Sequence, residues 1–225
     1  MKVLIVGAGI AGPTLAFWLN KSGHEVTIVE HAPKLRSGGY LIDFWGAGFD
    51  VAEGMGIVPE LRTRGYLFTE ARAIDRNGRK IASFNPEAVI ESNKRYLSIP
   101  RTDLAAVIYD SLAGAVELML GDTVRDLADE GERVRVTFES GSTRDFDLVI
   151  MCLPHSLLAT MGWDGEQLRK SMVKHVAYFD RPAHYLRFSI LVDEPFWGDK
   201  IPGAWFMSEA FGGCCVYNEG ARHDV

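Results

Sequence analysis

"KVLIVGAGIAG", residues 2–12, sets the architecture of the N-terminal part of this chain. Lys2 to Val6 is a short β-rich run of the kind found in a central parallel strand. It enters a turn in which Gly7, Gly9 and Gly12 have the spacing of a dinucleotide-binding loop. The segment after it carries Ala16 and Leu19 and breaks at Gly23. A second β run, "EVTIVE", then ends in the acid Glu30. A glycine triplet alone is weak evidence, but strand, glycines, helix, strand and acid in this order are specific. Gly7 permits the tight turn, Gly9 lets backbone approach a pyrophosphate, and Gly12 lets the helix pack on the strand. The helix N-terminus then presents free N–H groups and partial positive charge to phosphates, and Glu30 is placed to accept from ribose hydroxyls. Gly7, Ala8, Gly9, Ile10, Ala11, Gly12 and Glu30 are therefore candidate cofactor-binding residues.

The bulk properties set limits on what surrounds this motif. The chain has 225 residues, 47% hydrophobic and 24% charged, with a formal net charge of −6. That suffices for one large or two modest domains, and the acidic balance gives no footprint for nucleic acid or an anionic membrane. No stretch approaches the run of about 20 apolar residues that a membrane span needs. Three cysteines, two of them the adjacent Cys214 and Cys215, make a poor disulfide framework. A reducing cytoplasm is the expected compartment. No Cys/His spacing matches a metal site.

Beyond Glu30 the chain reads "HAPKLRSGGYLIDFWGAG" (31–48), with Pro33, Arg36 and the Gly38-Gly39 pair. Further on, "YLSIPRTDLAAVIYDSL" (96–112) places Arg101 before a helix that Thr102 or Asp103 could cap. Leu104, Val107, Ile108 and Leu112 give that helix an apolar face. In these segments the chain resembles the flavin-dependent aromatic hydroxylases, the para-hydroxybenzoate hydroxylase-like class A monooxygenases. It looks closest to the branch with tetracycline-inactivating and polyketide hydroxylases. The resemblance covers residues 1 to about 150. It implies that Arg36 and Arg101 contact FAD, and that Gly39 to Asp43 passes close to the isoalloxazine. It also implies that the backbone at Val124, at the start of a β-meander, touches adenine. NAD(P)H would serve as a transient reductant, and the substrate would be an aromatic or polyketide-like small molecule. Enzymes of this kind need no side-chain nucleophile, so no catalytic residue is expected to stand out.

The resemblance changes after "DFDLVI" (145–150). The hydroxylases continue Gly-Ala-Asp-Gly, and this chain has Met151-Cys152-Leu153-Pro154-His155-Ser156. Residues 151–225 resemble the amine-oxidase-like flavoproteins, in which a strand ending before Pro reaches the cofactor through backbone and apolar contacts. This change implies a hybrid, by natural recombination or by an artificial join near residue 150. The late flavin-site helix of both families is expected to be absent, so that self-association or a partner chain would complete the flavin site. A non-catalytic nucleotide-binding fragment is the reading from a different class.

The expected fold is α/β: a Rossmann-like FAD-binding domain of the glutathione-reductase type with a β-meander, plus a smaller, mainly β substrate domain. The first domain is expected at 1–65 and 97–160, the second at 66–96 and 161–225. Asn77-Gly78 signals a hairpin turn. Cys152, His155 and Ser156 imitate a nucleophile and its base, but a cysteine at the end of a buried strand is more often packing. Ser156 is expected to cap the helix that follows, and Cys214-Cys215 to lie in a strand on alternate faces. Phe196, Trp197, Trp205 and Phe206 are read as second-sheet core ahead of substrate cavity.

Overall fold

In a computed structural model the chain is described over residues 1–35, 40–67, 70–75, 77, 79–86, 88, 95–178, 193–194, 205–208 and 214–217. From the N-terminus run β1 (Lys2–Val6), α1 (Ala11–Lys21), β2 (Glu25–Glu30), β3 (Leu41–Trp45), α2 (Ala47–Met55) and α3 (Val58–Arg64). Next come β4 (Ala71–Ile74), β5 (Lys80–Phe84), β6 (Tyr96–Pro100), α4 (Arg101–Asp110), β7 (Glu117–Leu120), β8 (Val124–Asp129), β9 (Val134–Phe138) and β10 (Thr143–Phe146). The last are β11 (Leu148–Met151), α5 (His155–Leu158), α6 (Glu166–Tyr178), β12 (Trp205–Ser208) and β13 (Cys214–Tyr217). They form two compact units, Met1–Gly39 with Arg101–Leu186, and Tyr40–Pro100 with Arg187–Val225. Residues 40–65 and 97–100 lie with the second unit and 161–186 with the first. Pairing of β3 with β6 joins the former segments to the second unit.

The first unit is built on a parallel sheet in the order β11-β1-β2-β7. Its β1 is apolar without alternation because both faces are covered. Val3 and Ile5 join Val26, Ile28, Ala16 and Leu112 in one buried cluster. Leu4 and Val6 join Val29, Val136, Phe138 and Phe146 in another, under the antiparallel meander β8-β9-β10. Leu104, Val107 and Ile108 are buried on α4, which confirms the apolar face read from their spacing. Thr102 and Asp103 sit inside the first turn of α4 rather than ahead of it. The β11 strand pairs in parallel with β1, and the Cys152 N–H extends that ladder to the Val6 carbonyl at 2.8 Å.

One polar anchor ties the meander to the sheet. Arg144 donates through both terminal nitrogens to the Glu117 carboxylate, at 3.0 and 2.8 Å, and the Thr27 hydroxyl donates to the same group at 2.9 Å. The Arg144 guanidinium also lies 5.3 Å from the centre of the Phe146 ring. Its hydrogen bonds hold the Glu117 carboxyl below the usual carboxylate range, against a smaller opposing effect of burial.

The second unit contains the two-stranded antiparallel sheet β3-β6, helices α2 and α3, and the sheet β13-β12-β4-β5. Arg95 holds α2 by ion pairs to Asp50 and to Glu53, the latter at 2.6 Å. The expected hairpin is present as β4 and β5, with the Asp75 carboxylate accepting from the Asn77 and Arg79 N–H groups at 2.8 and 2.9 Å. Its Gly78 lies outside the described residues. No helix among the described residues is long and apolar enough to cross a membrane, and no cluster there could hold a metal ion.

Two outcomes follow from these contacts. Phe138 is fully buried, so Phe138→Ala is expected to cost about 3–5 kcal/mol and lower the thermal midpoint by roughly 10 °C, measured by circular dichroism. The folded-state pKa of Glu117 is depressed, so its contribution is present above the unfolded carboxylate value and lost as pH falls through the folded one. The stability difference between wild type and Glu117→Gln, followed by denaturant titration, is therefore expected to be constant near neutrality and to shrink below about pH 4.5.

Candidate functional site: a glycine loop, a helix N-terminus and a facing arginine

At the carboxyl ends of β1 and β2 the three glycines prove to have three separate causes. Gly7 has φ +108°, and a Cβ there would lie 2.7 Å from the Cys152 carbonyl oxygen. Any other residue would be strained in backbone and clash at once. At Gly12 a Cβ would fall 2.0 Å from the Gly7 carbonyl oxygen, which is the close helix-to-strand packing expected from the sequence. Gly9 is different: among the described residues, only an Arg101 guanidinium nitrogen comes within 4 Å of where its Cβ would lie, at 3.9 Å. Gly9 and Ala11 are exposed, Ile10 is half-buried, and Gly7, Ala8 and Gly12 are buried.

Helix α1 starts directly on this loop. Its N-cap residue, Ile10, supplies no side-chain cap, and the first turn holds no acid. The partial positive charge and N–H groups there are left to an outside anion. Arg101, the first residue of α4, adds a full positive charge beside Gly9, and no carboxylate among the described residues pairs with it.

Glu30 closes the arrangement in a way that its sequence position did not reveal. Its carboxylate accepts from the Ala8 N–H at 2.8 Å and from the Ala32 N–H at 3.0 Å. One side chain thus fixes the glycine loop to the end of β2. An ionised carboxylate has about four acceptor positions, so two bonds leave capacity for a hydroxyl. The Gly121 and Asp122 N–H groups donate to the Ala32 and Glu30 carbonyls. This brings the start of the meander, and Val124 within it, onto the same end of the sheet. Arg36 and Gly39 lie outside the described residues.

Cys152, His155 and Ser156 follow the end of β11. Burial pushes the Cys152 thiol up, away from the reactive thiolate. The His155 ring stands edge-on to His175, with centroids 5.2 Å apart. Ser156 does not cap its helix. Pro154, with extended backbone at ψ 142°, is the N-cap, and its carbonyl accepts from the Leu157 N–H at 2.9 Å. Cys214 and Cys215 are consecutive residues of β13, and Trp205 and Phe206 belong to β12. Phe196 and Trp197 lie outside the described residues.

On the β3-β6 ladder of the second unit lies a polar cluster. Asp43 stands opposite Ser98 in the β3-β6 ladder. Its Oδ1 accepts from the Tyr96 hydroxyl at 3.1 Å and, by a short bond, from the Ser98 hydroxyl. Asp43 was singled out in the sequence, but its two partners were not. Their alternation in "YLSIP" was the available signal, since it sets Tyr96 and Ser98 on one face.

The loop, the uncapped helix start and the facing guanidinium fit the pyrophosphate of a dinucleotide, and among the described residues only the guanidinium approaches Gly9. Comparison with known proteins agrees. A family model for an NAD(P)-binding Rossmann-like domain matches residues 5–52, and one for flavin-containing amine oxidoreductases matches residues 54–213. The chain belongs to the flavin-containing amine oxidoreductase family. An uncharacterized protein of Mycobacterium tuberculosis is 34% identical to this flavin-type oxidoreductase chain over 187 residues, covering 81% of it and 50% of the relative. The FAD-dependent monooxygenase asL4 of Sarocladium schorii is 31% identical, covering 67% and 36%. Among solved structures, tetracycline destructase Tet(55) matches with TM-score 0.57 and 32% identity, over 67% of this chain and 37% of that one. CtdE in complex with FAD shares the fold, with TM-score 0.58 and 19% identity, over 67% and 37%. The chain thus spans half or less of the length of these relatives.

Arg101→Ala is expected to weaken FAD binding by roughly ten- to a hundredfold, the scale of one charge-assisted contact to phosphate, with little change in thermal midpoint. Isothermal titration of both proteins checks it.

Proposed function

We propose that this chain carries the nucleotide-binding part of an FAD-dependent oxidoreductase acting as an NAD(P)H-dependent monooxygenase on an aromatic or polyketide-like small molecule. The observation that carries the reading is the exposed Gly9 facing Arg101 above the uncapped N-terminus of α1. Gly7 to Gly12 and Arg101 would hold the pyrophosphate, Glu30 the ribose, and the backbone at Val124 the adenine. Arg36 and Gly39 complete the proposed contact set. When bound, FAD would supply the redox chemistry. The residues described here bind and orient it: Glu30 keeps the loop in its binding shape, and Arg101 offsets phosphate charge.

The monooxygenase reading draws support from the names of the similar proteins, the FAD-dependent monooxygenase asL4 and tetracycline destructase Tet(55). The second reading, an amine-oxidase-like activity, is favoured by the amine oxidoreductase match over residues 54–213. That single match crosses residue 150, which supports one continuous family over a hybrid joined there.

The test is spectroscopic and kinetic. Purified protein titrated with FAD is expected to retain flavin through gel filtration and to oxidise NADPH faster when a phenolic compound is added. A colourless protein that takes up no FAD would point to a non-catalytic fragment. Flavin reduction by amines without NADPH would select the oxidase reading.

A further inference from the structure

We infer that Asn77, between β4 and β5, is a site of spontaneous self-modification. Its side-chain amide is lost as ammonia, and the chain then continues through isoaspartate. The same step releases the carboxylate clamp that closes the β4-β5 hairpin. The inference goes beyond the flavin reading and is independent of it.

Asparagine is among the thermolabile residues of proteins. Of the five asparagines in this chain, Asn77 alone precedes glycine. Its side-chain carbonyl carbon is within ring-closing reach of the next backbone nitrogen, and Gly78 offers that nitrogen with no Cβ to crowd the approach. Asn85 is followed by Pro86, whose nitrogen carries no hydrogen and cannot take part. Asn77 is exposed, so water reaches the ring once it has formed.

The Gly78 nitrogen attacks Cγ of Asn77, the Cγ–Nδ2 bond breaks, and the proton of the attacking nitrogen leaves with the departing ammonia. Water then opens the cyclic imide. Opening at Cγ gives aspartate. Opening at the main-chain carbonyl carbon gives isoaspartate, whose backbone runs through Cβ and Cγ and whose former main-chain carboxyl becomes a free side group. No electron is gained or lost, and water is the sole co-reactant.

The hairpin's own hydrogen bonds define what this does. The Asp75 N–H donates to the Arg79 carbonyl at 2.9 Å. Asp75 Oδ1 accepts from the Asn77 N–H at 2.8 Å and from the Arg79 N–H at 2.9 Å. One of these N–H groups precedes the Asn77-Gly78 bond and the other follows it. An extra backbone atom between them shifts one against the other, so a single carboxylate oxygen no longer reaches both. Hydrogen bonds, that from the Arg79 N–H foremost, hold the Asp75 carboxyl below the usual carboxylate range, against an opposing effect of desolvation. It is therefore ionised at neutral pH, and the carboxylate newly formed at residue 77 repels it. Every residue of β5 is exposed, so little burial on that strand resists the opening.

The test ages the purified chain in warm, mildly alkaline buffer beside Asn77→Gln, which would need a larger ring, and Gly78→Val, which crowds the attacking nitrogen. Cleavage after Glu70 and Glu87 releases a peptide that contains both Asn77 and Asn85. Mass spectrometry with fragmentation that separates aspartate from isoaspartate then reads each position. Asn77 of the wild type is expected to convert, mainly to isoaspartate, while Asn85 stays intact and both variants resist. Hydrogen exchange at the Arg79 amide is expected to quicken in the aged wild type and to stay unchanged in aged Asn77→Gln, or in Gly78→Val if the first variant fails to fold. An Asn77 that converts no faster than Asn85 overturns the site. Isoaspartate formation that leaves the Arg79 amide as protected as before ageing overturns the release of the clamp.

Discussion

The Gly7 carbonyl lies so close to Gly12 that no side chain fits between them, and the rest of the first unit is arranged around that approach. It seats α1 on the end of β1, so the helix N-terminus opens at the carboxyl edge of the sheet. On either side β1 is locked by its neighbours: Gly7 donates to the Val29 carbonyl and Cys152 to the Val6 carbonyl, both at 2.8 Å. Above and below, alternate residues of β1 enter two separate apolar clusters. A strand buried on both faces and paired on both edges has no freedom to tilt or slip. The loop that follows inherits that rigidity, which is what a preorganised anion site requires.

Against this fixed floor the polar groups are distributed with economy. Glu30 fastens the loop from β2, and Arg101 reaches it from the start of α4. At the far end of the sheet, Arg144 and Glu117 join the meander to β2 and β7. The stretch that departs from the hydroxylase pattern is absorbed into packing. Leu153 packs against the Leu4, Val6 and Phe138 cluster, and the Cys152 backbone continues the β1 ladder. The carboxylate expected there by resemblance is thus replaced by apolar contact, and the local fold is maintained without it.

Much of this was legible in the sequence where the cause is local. Gly7 and Gly12 carry their reasons in their spacing, and the α4 face could be read from Leu104, Val107 and Ile108. Where the cause is distant, the sequence was mute or misleading. The β3-β6 pairing joins residues more than fifty positions apart, and it moved residues 40–65 into the second unit. Helix α6 carries no buried residue, so its period reports no core and went unread. Ser156 looked like a cap by residue type, but the extended backbone of Pro154 had already taken that position. Glu30 was recognised as an acid at a ribose position. Its bond to the Ala8 N–H became visible only when loop and strand were folded together.

A crystal structure of the chain grown with saturating FAD tests whether this loop is a dinucleotide site. The arrangement of Gly9, the α1 N-terminus and Arg101 predicts pyrophosphate density over residues 9–12, within hydrogen-bond reach of the Arg101 guanidinium, and a ribose against Glu30. FAD bound elsewhere, or a loop left empty at a concentration that saturates the protein in solution, would contradict it.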